Sequence, residues 1–293
     1  MNKLESKNSS RWPEALIVLQ SVIYGFGDPI SKIAFDVTPV YTMVTVRYMI
    51  GFAVCFLLFR KKVIETLKTV PARAWLIPGC CIGLTYIVNN VAISLTEATS
   101  TAFLRSLSVL FTPLFAFLFF KKRFRWQHLL IQILVIPGLY LLCARGGLSG
   151  FGLGEILALT ASALMAGSLV FSKRYIEMVD PASMTVLMAG CSAIMAFAGC
   201  LFFEGGFHLE NTTPTAWLII IYLAVLCTFL GFLMQNLALT KIDGRKVSLI
   251  QCLCPVMTAV FSFMILGEKL SPEGMIGALI IIACVAAGSV IEE

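Results

Sequence analysis

Charge is scarce in this 293-residue chain. Only 13% of its residues are Asp, Glu, Lys or Arg, while 59% are hydrophobic. An ordinary soluble domain is about a quarter charged and about half apolar. A soluble globule of this size would lack the polar surface to cover itself, which excludes a soluble enzyme, a disordered chain and a DNA-binding domain. Histidine is nearly missing: His128 and His208 are the only two. A zinc site needs clustered Cys and His ligands, so no metal is expected, and no cofactor either. Ser, His and Asp form no triad pattern. Gly25-x-Gly27 and Gly150-x-Gly152-x-Gly154 follow no soluble strand and open no nucleotide fold. No nucleotide-binding loop is present, so the chain is not expected to hydrolyse ATP. No cleavable signal peptide is expected, because the segment from Met1 to Arg11 is polar and no small-residue cleavage motif follows the first apolar run.

Long apolar runs are what the chain has in abundance, and mean hydropathy is +0.92. About twenty apolar residues cross a hydrocarbon core of about 30 Å. That rule predicts an all-α polytopic membrane protein with ten spans, at roughly 14–34, 39–59, 74–95, 99–120, 127–144, 153–173, 183–203, 215–239, 246–266 and 273–290. The ten cysteines all fall inside these runs, where they read as small buried hydrophobes rather than a disulfide framework. The net charge of +6 does not indicate nucleic acid, because the basic residues sit in short connectors. Seventeen of the 22 Lys and Arg residues lie on one side if the N-terminus is cytoplasmic, and three (Lys32, Arg145 and Lys269) lie on the other. The positive-inside rule therefore predicts a cytoplasmic-membrane protein with both termini in the cytoplasm.

The chain also repeats itself. Residues 101–124 align without gaps on 247–270 at an offset of 146, pairing Arg105 with Gln251 and Thr112 with Thr258. The same offset pairs Asn89-Asn90 with Gln235-Asn236; at 141–142, Ser31-Lys32 meets Ser172-Lys173, Pro39 meets Pro181 and Trp75 meets Trp217. The expected organisation is a cytoplasmic tail (1–13), a first five-helix repeat (14–145) and a second (146–293). Five is odd, so the second half enters from the opposite side. Such 5+5 inverted-topology repeats are found in secondary transporters.

Several short motifs carry a family resemblance. They are Tyr24-Gly25 and Ser31-Lys32 in the first run, Arg47-Tyr48 in the second, Pro113-Leu114 in the fourth with Pro255 as its equivalent in the ninth, Gly154-Glu155 opening the sixth, and Gly267-Glu268-Lys269-Leu270-Ser271 followed by Gly277. With the ten spans and the repeat, the chain resembles the EamA branch of the drug/metabolite transporter superfamily over about residues 14–290. The resemblance implies a transporter rather than an enzyme, and leaves the substrate open. Lys121-Lys122-Arg123-Phe124 departs from the second half's Gly-Glu-Lys-Leu, and Asp28-Pro29 stands where apolar or small residues are expected.

Ionisable residues inside a span usually face a cavity or a partner. Arg47 and Arg105 qualify. Arg47 could brace helices through backbone carbonyls; Arg105 could snorkel to the interface. Thr101, Ser108 and Thr112 share a helical face with Arg105, which favours a cavity. Tyr86, Asn89 and Asn90 in the third run, and Gln235, Asn236 and Gln251 in the second half, extend a polar lining; alternatively they are interhelical hydrogen bonds. Asp28, with Tyr24 and Ser31 on its face and Pro29 beside it, is the expected coupling residue, since a carboxylate in a low-dielectric cavity can take up and release protons. It could instead pair with Arg47 or Lys32, or sit at the outer mouth. Glu97, Glu155 and Glu268 at span ends read as solvated or helix-capping.

The leading expectation is a secondary transporter of a small polar metabolite, an amino acid or other carboxylate-bearing solute, working by alternating access. Substrate binding falls to Arg47, Arg105, Tyr24, Tyr86, Asn90, Asn236 and Gln251, because guanidinium grips carboxylate in a bidentate fork and amides read polar edges. Trp12 or Trp75 could stack on a ring. Proton coupling, exchange and facilitated diffusion are open, as are import and export. The alternatives are an exporter of drugs or amphipathic cations neutralised by Asp28, a carrier of an aromatic vitamin or nucleobase, an intramembrane enzyme, and a channel. The expected partners are the bilayer and a small molecule, with no nucleic acid. A monomer is the default and a dimer the alternative.

Overall fold

The computed structural model describes residues 11–96, 98–121, 126–143, 152–267 and 271–290. They are helical throughout, with no β-strand among them. In chain order the helices are α1 (Trp12–Phe35), α2 (Val40–Thr69), α3 (Arg73–Leu95), α4 (Ala98–Ser106), α5 (Ser108–Phe120), α6 (Trp126–Cys143), α7 (Leu153–Tyr175), α8 (Pro181–Gly199), α9 (Pro214–Tyr222), α10 (Gly231–Leu239), α11 (Gly244–Ile250), α12 (Leu253–Leu266) and α13 (Pro272–Val290). Wider π-helical turns continue α8 through Cys200–Glu204 and join α9 to α10 through Leu223–Leu230.

By length and composition, seven helices can cross a membrane: Val40–Thr69, Arg73–Leu95, Thr101–Phe120, Leu153–Tyr175, Pro181–Glu204, Pro214–Leu239 and Gly244–Ile265. Leu130–Leu141 and Pro272–Gly288 are shorter apolar helices. Helix α1 has the length, but Gln20, Asp28, Pro29 and Lys32 interrupt its apolar run. The burial pattern is the reverse of a soluble protein's. Gln20, Arg47, Asn89, Asn90, Gln235 and Asn236 are buried, while Leu57, Leu58, Ile194, Phe202, Leu218 and Met264 are exposed. An apolar exterior over a polar interior is the arrangement lipid requires.

Two expectations change at the helix level. The second helix does not stop at residue 59; it continues to Thr69. Arg60–Thr69 is rich in good helix formers, its Val63 and Thr66 are buried, and Lys62 pairs with Asp180 at 3.1 Å where α8 begins. The fourth and ninth runs are each broken. Around Leu107, backbone bonds tighten to Leu107 N→Leu104 O (3.2 Å) and Leu110 N→Leu107 O (2.9 Å). Around Cys252 they are Cys252 N→Leu249 O (3.1 Å) and Cys254 N→Gln251 O (2.9 Å). Pro255 explains the second break, because its ring cannot accommodate the Gln251 carbonyl four residues back. Pro113 does not explain the first. The offset of 146 carries Pro255 onto Val109, so the two prolines are not equivalent.

The packing repeats itself with the halves exchanged. The α3–α7 contact is matched by α10–α1, α1–α12 by α7–α5, and α3–α8 by the Leu223–Leu230 turns against α2; α2–α8 and α6–α13 map onto themselves. The ends of α5 and α12 also correspond. Both close in the left-handed region, at Lys121 (φ 52°) and Gly267 (φ 68°), 146 residues apart. The Lys-for-Gly departure thus leaves the cap geometry unchanged, with a lysine in a conformation that favours glycine.

Polar contacts fall at two ends of the bundle. At one end Lys246 pairs with Glu14 (3.0 Å), and Lys173 Nζ donates to Leu239 O (2.8 Å). At the other, Glu204 caps α2 by accepting from Tyr41 N (2.8 Å), Thr42 N (2.7 Å) and Thr42 Oγ1 (2.7 Å). Glu155 accepts there from Thr96 Oγ1 (2.6 Å) and Gly152 N (3.0 Å), the capping role expected for it. Glu97, Glu268, most of the 1–13 tail and the Glu268–Leu270 part of the turn motif lie outside the described residues.

Candidate functional site

Helix α1 organises the centre. Gln20, Tyr24 and Asp28 lie four residues apart and so form one stripe along it. Gly25, one residue from that stripe, lets α1 approach α12 closely: a side chain there would strike Met257 and the Thr258 backbone. This close crossing brings Thr258 of α12 to Asp28.

Two clefts meet along the stripe. The first, a narrow cavity of about 20 Å³, is lined by Tyr24, Asp28 and Ser31 of α1, Arg47 of α2, Tyr86, Asn89 and Asn90 of α3, Arg105 of α4, and Leu223 and Cys227 from the π-helical turns. The second, about 30 Å³, is lined by Ser21, Tyr24, Tyr86, Arg105, Ser106, Ser108, Met165, Ser248, Gln251 and Cys254. Tyr24, Tyr86 and Arg105 belong to both and form the partition. The Tyr24 and Tyr86 rings meet edge to face at 5.9 Å. The first cleft is charged, whereas the second has neutral polar groups apart from Arg105.

Arg105 closes the partition as an ion pair. Its Nη2 donates to Asp28 Oδ2 at 2.8 Å and its Nη1 to Asp28 Oδ1 at 3.4 Å; Nη2 also reaches Cys254 Sγ at 3.1 Å. Thr258 Oγ1 donates to Asp28 Oδ2 at 3.3 Å. The partner of Asp28 is therefore Arg105, and neither Arg47 nor Lys32, the two partners of the alternative reading. Arg105 stands at the last turn of α4, so the break at Leu107 sets where its guanidinium points. That break also interrupts the expected single face from Thr101 to Thr112, and the Thr112 hydroxyl is spent on Ser108 O at 2.7 Å.

Gln251, the repeat mate of Arg105, sits at the matching break and is held by amides instead. Its Nε2 donates to Gln20 Oε1 and Gln235 Oε1, both at 3.0 Å; Gln20 Nε2 donates to Gly231 O at 2.8 Å. Gln251 Oε1 and Gln235 Nε2 remain buried without partners.

Arg47 is placed differently. It is 4% exposed, its Nε donates to Thr228 Oγ1 at 3.0 Å, and its guanidinium lies 5.3 Å from the Tyr48 ring and 5.8 Å from that of Tyr86. It braces the bundle through a hydroxyl, not through the backbone carbonyls that were one expectation. No carboxylate pairs with it among the described residues.

The structure gathers Tyr24, Asp28, Arg47, Tyr86, Asn90 and Arg105 around the first cleft and Gln251 on the second. It does not bring Asn236 to either. Its Nδ2 donates to Thr185 Oγ1 at 3.1 Å, tying α10 to α8. Trp12 starts α1 and Trp75 packs against the buried cluster of Cys55, Val63, Val186 and Leu187, and neither indole lines a cleft. Gln20, Thr228 and Cys254 were not anticipated. The four-residue spacing from Gln20 to Tyr24 to Asp28 was a usable signal; nothing local marks Thr228, which reaches Arg47 from a π-helical turn.

A helical membrane bundle with a buried, charged, divided cleft at its centre defines a class, the multi-pass membrane transport proteins. Comparison with known proteins specifies it. Residues 11–144 and again 152–288 match the EamA-like transporter family, and the chain belongs to that family; it is a transporter, not an enzyme. It is 26% identical to an uncharacterized transporter of Archaeoglobus fulgidus over 92% of this chain and 83% of that protein. It is 24% identical to a probable amino-acid metabolite efflux pump of Salmonella typhimurium over 94% of this chain and 93% of that protein. A solved crystal structure shares the fold with a TM-score of 0.77 at 16% identity, covering 94% of each chain.

Proposed function

We propose that this chain moves a small carboxylate-bearing solute, an amino acid or a related acid, across the cytoplasmic membrane by alternating access. The reading rests on one observation above all: the first cleft contains two arginines, Arg47 buried and Arg105 largely shielded, and one carboxylate, and Asp28 is committed to Arg105. The Arg47 charge is left over. A buried cation costs several kcal/mol unless paired or hydrated, and a solute carboxylate would supply the pairing in the fork geometry that guanidinium favours. A cationic drug would meet that uncompensated positive charge, which argues against the cation-export alternative.

The architecture we propose is ten spans in two inverted five-helix repeats, 14–145 and 146–293, with both termini cytoplasmic and a monomer as the working unit. The exchanged helix contacts, the paired breaks at Leu107 and Cys252 and the paired caps at Lys121 and Gly267 support it. In this arrangement the charged cleft opens outward and the amide-lined cleft inward. Rocking of the halves about the Tyr24–Tyr86–Arg105 partition would expose each in turn.

The test is exchange in proteoliposomes loaded with a panel of amino acids, organic acids, nucleobases and organic cations. The expected result is saturable exchange of carboxylate solutes that is lost in Arg47→Gln. Exchange of cations alone, lost in Asp28→Asn, would replace this reading with the cation exporter.

A further inference from the structure

Two side chains in the charged cleft have hydrogen-bonding capacity with nothing to use it on. Among the described residues Arg47 donates only through Nε, to Thr228, and its two terminal nitrogens make no hydrogen bond. Asn89 lines the same cleft, is 2% exposed, and its buried Oδ1 has no partner. Its neighbour Asn90 differs. Asn90 Nδ2 is spent on the Tyr86 carbonyl of its own helix at 2.6 Å. A buried polar group without a partner is costly in a native protein. The Asn89 acceptor is such a group, and it lines one cleft with an arginine that no carboxylate pairs among the described residues; together they describe a complementary ligand, an anion for Arg47 and a donor for Asn89.

We infer that Arg47 and Asn89 together form a receptor for an acid carrying a hydrogen-bond donor on its α carbon, an α-amino or α-hydroxy acid. The carboxylate lies on the Arg47 terminal nitrogens and the α-ammonium or α-hydroxyl donates to Asn89 Oδ1. Arg105 takes no part in the recognition, because Asp28 occupies it. This inference rests on the carboxylate-transport reading and narrows it. It also shifts the roles among the residues, with Asn89 in place of Asn90 and Arg47 in place of the Arg47/Arg105 pair.

The test uses the purified full-length protein and measures binding by thermal stabilisation and calorimetry. The probes are L-amino acids and L-α-hydroxy acids, each compared with the acid of the same skeleton lacking the α substituent, and with the corresponding amine lacking the carboxylate. A donor to an otherwise unpaired buried acceptor is expected to improve affinity about tenfold or more. At least one α-substituted acid should therefore outbind its unsubstituted partner by that factor, and amines alone should not bind. Asn89→Leu should abolish the difference within each pair while weak carboxylate binding persists. Asn90→Leu should preserve the difference, and Arg47→Gln should abolish binding. Should Arg47→Gln fail to fold, the wild-type comparison still decides. Equal binding of substituted and unsubstituted acids, or a preference that survives Asn89→Leu, overturns this receptor and leaves carboxylate transport standing. Absence of binding by every acid overturns both.

Discussion

The two helix breaks share a geometry and differ in chemistry. Two residues before Leu107 stands a cation, Arg105, held by the Asp28 carboxylate; one residue before Cys252 stands a neutral amide, Gln251, held by Gln20 and Gln235. Both holds run to one helix, with Asp28 and Gln20 on the same stripe of α1, eight residues apart. The two aligned stretches thus bend within one residue of the same position while the side chain near the bend differs. The charged version borders the cleft with the unbalanced arginine. The neutral version borders the cleft without it.

The largest expected effect comes from breaking the ionic hold. Asp28→Asn leaves Arg105, largely shielded from solvent, without a counter-ion and should cost about 3–5 kcal/mol in detergent unfolding; Asp28→Asn with Arg105→Gln should recover most of that. If the double variant recovers nothing, the pair is not the unit we describe. Gln20→Leu, the matching cut at the amide hold, should cost less, about 1–2 kcal/mol, because membrane interhelical hydrogen bonds between neutral groups are modest. A Gln20→Leu loss as large as that of Asp28→Asn would remove the contrast. Lys121→Gly gives the first repeat the residue its mate uses in a left-handed cap, and should stabilise by about 1 kcal/mol in the same assay. The smallest effect is expected from Val109→Pro. Val109 is where the repeat places Pro255, and its N–H donates no backbone hydrogen bond across the break. A proline there should shift stability by less than about 1 kcal/mol, where a helix-interior proline costs about 3 kcal/mol or more. A loss of that larger size would mean the two breaks are not equivalent.

Much of this arrangement is legible in the residues themselves. Twenty-residue apolar runs announce membrane helices, and the Arg105–Gln251 match announces that the two positions correspond. What escapes is contact across the bundle. The pairing of Asp28 with Arg105 joins α1 to α4, and no spacing in the chain encodes that approach. Asn89 and Asn90 are likewise indistinguishable in sequence. They separate only when the helix turns one amide back onto Tyr86 O and leaves the other in the cleft. Asn236 goes the opposite way from its repeat mate Asn90 because Thr185 of α8 lies within its reach. The α2 extension past residue 59 escapes because basic residues mark the end of the membrane, not the end of the helix.

The most direct test of alternating access is side-specific labelling in oriented proteoliposomes. Ser31→Cys reports the charged cleft and Ser248→Cys the amide-lined one, each placed in a background whose native cysteines are replaced. With a membrane-impermeant maleimide, each cysteine should react from one face only, on opposite faces. A saturating transported acid should then change the two rates in opposite directions. Labelling of both from the same face, or rates that rise together, would contradict the account.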